Sequence, residues 1–176
     1  MYIFKDIQIM APNSEQNKIF WLLTVSFVVR SLIAANIDLS NDEVNYWVYA
    51  LYPSLSHFDH PPMAGFFIQL FSLNLIFQSE FFIRAASLVT GTVNTYLIFL
   101  IGRKVYDTNA GLTAAVLYTA SVYCSVILGL FILPDTPLSL FWLLTFYIAI
   151  DVVPMRNPDA RSRKMFLLLG VTTGLG

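Results

Sequence analysis

Long apolar segments follow one another along this chain and are separated by short polar stretches. The longer segments have about 20 residues each, which is the length that a helix needs to cross the hydrocarbon core of a bilayer. Hydrophobic residues make up 57% of the chain and charged residues 12%, about half the charged share of a soluble domain. The pattern predicts an all-α fold, a polytopic bundle of transmembrane helices.

Basic residues set the predicted topology. The predicted spans lie at 19–37, 80–102, 109–130, 138–153 and from 165 onward. Lys and Arg occur before the first span, after the second and before the last. The positive-inside rule places all three groups in the cytoplasm. Residues 1–18 are then a cytoplasmic N-terminus, and we expect the chain to be the N-terminal piece of a longer protein.

This topology requires that residues 63–77 do not cross the membrane. As a helix this stretch is about 22 Å long, whereas the hydrocarbon core is about 30 Å thick. We therefore predict a helix at the outer interface, after an extracytoplasmic loop at 38–62. A small-residue site at Ala34-Ala35 leaves a cleaved signal peptide as the alternative for the first segment.

The outer loop is where we expect the chemistry. Residues 36–63 hold both histidines and four carboxylates, with no Lys or Arg. Ser40 and Glu43 fit a capping box that would begin a short helix, and this is the structural reading of Glu43. Asp42 would lie in the first turn, where the helix dipole favours a negative charge. Its functional reading is a general base at the membrane surface.

Three further residues of this loop are able to bind a metal ion. His57, Asp59 and His60 are closely spaced, but without a cysteine the spacing is a weak signal for a divalent cation. A turn that hydrogen-bonds backbone and water is the alternative. Cys124 lies alone in an apolar segment, which excludes an intrachain disulfide and indicates an inert thiol. The chain has no basic face, which excludes a nucleic-acid partner.

Other candidate residues lie at the predicted outer ends of the spans. Asp135, between two prolines, is either a turn residue or a functional carboxylate on the same side as Asp42. Arg84 and Arg30 lie inside spans and either snorkel to lipid headgroups or bind a phosphate. Tyr46 belongs to a group of aromatic residues expected at the interface, where they would also form a wall for a sugar.

The order of these motifs resembles that of the GT-C membrane glycosyltransferases. The motifs are DE-x-x-YW, FDHPPM, an Arg one turn into the next span, GRK and PDTPLSLFW, and they extend from about Ser40 to Trp142. The most similar group contains the dolichyl-phosphate-mannose protein mannosyltransferases and the bacterial glycosyltransferases that modify lipid A and the lipopolysaccharide core.

The resemblance implies a membrane enzyme that takes a sugar from a polyprenyl-phosphate donor. Asp42 would be the base, with Glu43 as its neighbour and Asp135 as the second acidic position. The acceptor would be a hydroxyl of a lipid, glycan or protein on the extracytoplasmic side, and transfer would be inverting. A bacterial inner membrane is the expected location. Substrate contacts are expected from four residues: Asp59, His60, Arg84 and Tyr46.

Two other classes of function compete with this reading. A transporter or flippase would place ionisable residues near mid-membrane and show repeated, discontinuous helices. The sequence shows no repeat, and its carboxylates cluster at one surface. A non-catalytic membrane assembly protein would leave Asp42, Asp59 and Asp135 as replaceable surface residues.

Overall fold

A computed structural model of the chain describes residues 14–58, 60–154 and 160–175. Within these ranges the regular structure is entirely helical, as expected. The helices are α1 (Ser14–Ala34), α2 (Asn41–Leu51), α3 (Met63–Phe71), α4 (Glu80–Val105), α5 (Thr108–Ala120), a π-helical turn (Tyr123–Ile127), α6 (Asp135–Val152) and α7 (Ala160–Leu175).

Three of the described helices, α1, α4 and α6, are long and apolar enough to cross a membrane. Their outward side chains are largely apolar, and residues such as Trp21, Leu32 and Trp142 are more than 60% exposed. Exposed apolar surface of this extent is what a lipid-facing bundle presents. The prediction of an all-α membrane protein is confirmed.

The contacts between helices give the bundle two distinct ends. The beginning of α1 packs near the end of α4, where Ile19 clusters with Phe99 and Ala115. The end of α1 packs near the beginning of α4, where Ala34 clusters with Leu88. α1 and α4 are therefore antiparallel. We call the end at which α4 and α6 begin the loop end, and the opposite end the basic end.

The basic end collects the cationic residues of the described chain that flank α4 and α6. Lys104, in the last turn of α4, pairs with Asp151 near the end of α6 at 2.7 Å. α4 and α6 therefore run in the same direction. Arg163 and Lys164 lie in the first turns of α7, directly after α6. The assignment of the basic end to the cytoplasm stays a prediction from charge.

The predicted span at 109–130 is interrupted. α5 ends at Ala120, and Ser121 has extended backbone angles (φ −67°, ψ 124°). The Ser121 hydroxyl then accepts a hydrogen bond from the Cys124 N–H at 3.4 Å, at the beginning of the π-helical turn that follows. Hydropathy did not indicate this break, because the residues on both sides of Ser121 are apolar.

The predicted interfacial helix is also shorter than expected. α3 ends at Phe71, and Leu73, Asn74 and Leu75 have positive φ angles of 52°, 56° and 62°. The Ser72 hydroxyl holds this left-handed turn by accepting from the Leu75 N–H at 3.0 Å. A helix of nine residues is about 13 Å long, so α3 is too short to cross. It packs on α2, where the Gln69 amide donates to the Ala50 carbonyl at 2.9 Å.

A close contact between backbones holds α4 to the segment after the π-helical turn. A Cβ atom added to Gly91 would lie 2.6 Å from the Gly129 Cα and would also overlap the Arg30 guanidinium. Arg30 is 5% exposed and donates to the Ser26 carbonyl at 3.1 Å and the Thr92 hydroxyl at 3.2 Å. Glycine is required here because any side chain would separate three packed segments.

We expect Gly91→Ala to lower the thermal stability of the protein in detergent. Alanine has a higher helix propensity than glycine, so any loss of stability must come from the overlap of its Cβ with Gly129 and Arg30. Overpacking of this kind costs about 1–3 kcal/mol. Gly170→Ala in α7 is the control, since nothing lies within 4 Å of its added Cβ. Equal melting temperatures of the two variants would contradict this account of the packing.

Candidate functional site

The loop end is organised by the first turn of α2. The Ser40 hydroxyl accepts from the Glu43 N–H at 3.3 Å, and the Glu43 carboxylate accepts from the Ser40 N–H at 3.0 Å. This reciprocal pair is the capping box that the sequence predicts. It fixes the beginning of α2 and turns Glu43 towards the interior of the bundle, while Asp42, the preceding residue, is exposed.

Glu43 forms a buried two-point ion pair with Arg84 of α4. Arg84 Nε lies 2.8 Å from Glu43 Oε1, and Arg84 Nη2 lies 2.7 Å from Glu43 Oε2. Both side chains are 0% exposed. A planar guanidinium matches the two oxygens of a carboxylate, which makes such pairs strong and directional. We call this pair the Glu43–Arg84 clamp.

The remaining donors of Arg84 bind the backbone that links α1 to α2. Nη1 donates to the carbonyls of Ala34 and Ile37 at 3.1 and 2.8 Å, and Nη2 donates to the Asp38 carbonyl at 2.8 Å. An arginine side chain has five N–H groups, and these contacts together with the ion pair engage all of them. The phosphate contact expected of Arg84 therefore has no free donor in this geometry.

Glu43 also reaches the segment that precedes α6. Its Oε1 accepts a hydrogen bond from the Ile132 N–H at 3.2 Å. The clamp thus joins four parts of the chain: the end of α1, the beginning of α2, the beginning of α4 and the approach to α6. Because Asp42 directly precedes Glu43 and Asp135 follows Ile132 by three residues, both carboxylates lie at the loop end.

The electrostatics of Glu43 follow from this setting. Burial opposes ionisation of the carboxyl group, but the hydrogen bonds from Arg84, Ser40 and Ile132 and the charge of Arg84 outweigh burial. The pKa of Glu43 consequently lies below its usual value of 4.5. The carboxylate is held as an anion for structural reasons, and its oxygens are already occupied.

The histidines of the loop pack on the tyrosines of α2. The His57 ring stacks on Tyr49 with the centroids 3.7 Å apart and the planes 4° from parallel. The His60 ring meets Tyr46 edge-on at 5.6 Å. Tyr46 is 6% exposed, and its expected contact with a sugar stays a prediction.

The proline-containing turns of the two acidic segments meet each other. A cavity of about 170 Å³ is lined by Pro61 and Met63 of the first loop and by Pro134 and Pro137 around Asp135. Phe67 of α3 contacts Phe141 of α6, with ring centroids 6.2 Å apart. The first loop therefore rests on the beginning of α6, as the proposed convergence of the two segments requires.

The weak signal for a divalent cation at His57, Asp59 and His60 is not tested, because Asp59 lies outside the described residues. Among the described residues no three His, Cys, Asp or Glu side chains are grouped closely enough to hold an ion. The substrate contact expected of Asp59 stays a prediction. His57 and His60 contact two different tyrosines.

Sequence reasoning missed the pairing of Glu43 with Arg84. It weighed the two residues separately, as a catalytic neighbour and a phosphate ligand. The available signal was that an ionisable residue inside a span faces the bundle interior and pairs with an opposite charge. The loop between α1 and α4 offers no basic residue for Glu43, so Arg84 is the cation nearest in sequence after it.

The clamp makes the stability of the protein depend on pH in a defined direction. Folding lowers the pKa of Glu43, so the contribution of its charge to the free energy of unfolding is fully present above about pH 4.5. This contribution declines below that pH and is lost once the pH falls through the pKa of the folded state. Glu43→Gln removes the charge at every pH and should cost about 3–5 kcal/mol near neutrality.

We therefore expect the difference in melting temperature between the wild type and Glu43→Gln to be largest at pH 7 and to narrow below about pH 4.5. Thermal unfolding in detergent across this pH range measures it. Glu80→Gln is the control, since Glu80 is an exposed acidic residue in the first turn of α4. A difference that is constant with pH would show that Glu43 is not ionised in the clamp.

Comparison with known proteins adds one finding to this geometry. No curated protein and no solved structure matches the chain. A family model described as dolichyl-phosphate-mannose-protein mannosyltransferase matches residues 59–176, about two thirds of the chain. The match includes Arg84 and Asp135 and begins after Asp42 and Glu43. The chain belongs to the dolichyl-phosphate-mannose-protein mannosyltransferase family, a family of membrane glycosyltransferases.

Proposed function

We propose that this chain forms the acidic rim of a membrane glycosyltransferase that moves a sugar from a polyprenyl-phosphate donor to an acceptor hydroxyl. Family membership supports the class of reaction. The observation that carries the assignment of the site is the contact between Glu43 and the Ile132 N–H. It joins the segment of Asp42 to the segment of Asp135 at one end of the bundle.

Asp42 is our candidate for the general base. It lies in the first turn of α2, where the helix dipole stabilises its negative charge, and its side chain is exposed. In the proposed reaction it takes the proton from the acceptor hydroxyl while the hydroxyl oxygen bonds to the anomeric carbon. The bond from that carbon to the phosphate oxygen breaks on the opposite face, so the configuration inverts and the polyprenyl phosphate leaves.

Glu43 and Arg84 have a positioning role in this proposal. Their polar atoms are engaged with each other and with backbone groups, so neither contacts the substrate directly. They hold Asp42 at a fixed place relative to α4 and α6. The fixed position of the base contributes to the rate, because a displacement of a reacting group by about 1 Å reduces the rate by about 100-fold.

The loop end is proposed to face away from the cytoplasm. The cationic residues near the ends of α4 and α6 and at the beginning of α7 lie at the opposite end, which supports this orientation. A site at the rim suits a donor whose lipid tail remains in the bilayer while its sugar reaches the surface. A bacterial inner membrane is the proposed location, with a hydroxyl of a lipid, glycan or protein as acceptor.

We expect Asp42→Asn to reduce transfer by a factor of about 10² to 10⁴ at unchanged expression and melting temperature, since a general base contributes rate enhancement of this size. Transfer is measured with a panel of polyprenyl-phosphate sugars, with and without a chelator. Glu80→Gln removes another exposed carboxylate at the loop end and should keep near-normal activity. Near-normal turnover of Asp42→Asn would exclude Asp42 as the base.

A further inference from the structure

The segment between the π-helical turn and α6 is buried although it is not helical. Residues 128–134 connect the two elements and lead to Asp135, the first residue of α6. Leu128, Leu130 and Ile132 are 7%, 4% and 0% exposed. Buried backbone N–H and C=O groups require hydrogen-bond partners, and irregular backbone at membrane depth occurs where protein surrounds it. The groups that supply these partners therefore determine where the segment lies.

One of these partners is Ser87, which lies one turn after Arg84 in α4. Its side chain is 0% exposed, and its hydroxyl lies 2.8 Å from the Leu130 carbonyl oxygen. The hydroxyl also lies 2.8 Å from the Arg84 carbonyl oxygen, so the two acceptors share its one hydrogen. The Arg84 carbonyl has a second donor, the N–H group of the next helical turn. Ser87 is the only partner of the Leu130 carbonyl among the described residues.

The other contacts of this segment do not replace the contact with Ser87. The Thr136 hydroxyl donates to the Phe131 carbonyl at 3.2 Å, but Thr136 belongs to α6 and moves with it. Glu43 accepts from the Ile132 N–H at 3.2 Å, and this contact joins the segment to α2. Ser87 therefore provides the short hydrogen bond that joins the segment directly to α4.

Helix α4 is thus a common reference for the two acidic segments of the rim. Arg84 holds Glu43, the residue after Asp42, and Ser87 holds the segment that leads to Asp135. Residues one turn apart on a helix are separated by about 4.5 Å along its axis. Because both contacts are made to the same rigid helix, they set the separation of the two carboxylates.

We infer that Ser87 is a positioning residue of the proposed transferase, and that its bond to the Leu130 carbonyl fixes the place of Asp135 relative to Asp42. The inference rests on the proposed function, in which both carboxylates belong to the acidic rim. Ser87 is buried and contacts no substrate. It acts through the separation of two groups on different helices, and the rate of a reaction between bound groups depends steeply on such separations.

The separation is measured with spin labels at Asp42→Cys and Asp135→Cys, in a Cys124→Ser background, by electron paramagnetic resonance. The full chain is held in lipid nanodiscs, well below its melting temperature. We expect Ser87→Ala to shift and broaden the distribution of distances between the labels, because the segment before α6 moves to find another donor for its carbonyl. A residue that contributes only to stability would leave this distribution unchanged.

Thr95→Val is the matched control. Thr95 is also a buried hydroxyl residue of α4, but it donates to the Gly91 carbonyl of its own helix at 2.8 Å. Its loss should leave the distances unchanged. The hydrogen bond from Asn94 to Ser139 holds α6 to α4 further along, so Ser87→Ala should displace the beginning of α6 without detaching the helix. Thr136→Val releases the same segment at its other side and decides the test if Ser87→Ala does not fold.

The transfer assay uses chains in which Asp42 and Asp135 are intact. Ser87→Ala should lower transfer by about 10- to 100-fold, the range expected for a reacting group displaced by up to about 1 Å. Thr95→Val should transfer at close to the wild-type rate.

The positioning role is overturned if Ser87→Ala leaves the distances unchanged, if Thr95→Val changes them equally, or if Ser87→Ala keeps wild-type transfer. If Ser87→Ala does not fold, unchanged distances in Thr136→Val overturn it. The distance measurement needs no turnover, so failure of the proposed function is distinguishable. Absence of transfer by the wild type from every donor would remove the function, while a shift confined to Ser87→Ala would still assign the placement of Asp135 to Ser87.

Discussion

The buried ion pair of Glu43 and Arg84 is the interaction on which the loop end of this bundle depends. Two charges that are withdrawn from solvent are stable only if their remaining hydrogen-bonding capacity is also satisfied. Here the backbone supplies the other partners: three carbonyls for Arg84 and the N–H groups of Ser40 and Ile132 for Glu43. The pair therefore specifies where four segments of the chain meet. This role is separate from its contribution to the stability of the fold.

This arrangement separates two roles within a pair of adjacent acidic residues. The capping box turns Glu43 inward and leaves Asp42 outside. The inner carboxylate fixes the position of the helix, and the outer one is exposed, as the proposed role of Asp42 as a base requires. A short helix at a membrane surface has little core of its own. The clamp and the packing of α3 against α2 provide the rigidity that a catalytic group on such a helix requires.

Much of the fold was predictable because its signals are local. Apolar length predicts the long helices α1, α4 and α6, and the S-x-x-E pattern of Ser40 and Glu43 predicts the capping box. The topology stays a prediction from the distribution of Lys and Arg. The interruption of α5 is the extended backbone at Ser121, and the end of α3 depends on the left-handed turn at 73–75. Hydropathy averages over both features, so it does not detect them.

The site was predictable only in part for a related reason. Asp42 was a candidate because it lies in the acidic loop predicted at the outer surface, and Asp135 because it is an ionisable residue at the end of a predicted span on the same side. Their meeting at one end follows from the direction of the helices. The partners of Arg84 and the hydrogen bond from Asn94 to Ser139 join residues separated by 41 to 50 positions, and such contacts leave no periodic pattern in a single sequence. Arg84 and Asn94 read as isolated polar residues in spans until the helices are packed.

The central claim is that Asp42 and Asp135 share one face of the membrane, and accessibility labelling tests it most directly. Asp42→Cys and Asp135→Cys, each in a Cys124→Ser background, are treated with a membrane-impermeant thiol reagent in sealed right-side-out vesicles. The account predicts that both positions are labelled before the vesicles are permeabilised, while Lys104→Cys is labelled only afterwards. Labelling of Asp42→Cys and Asp135→Cys from opposite faces would contradict it.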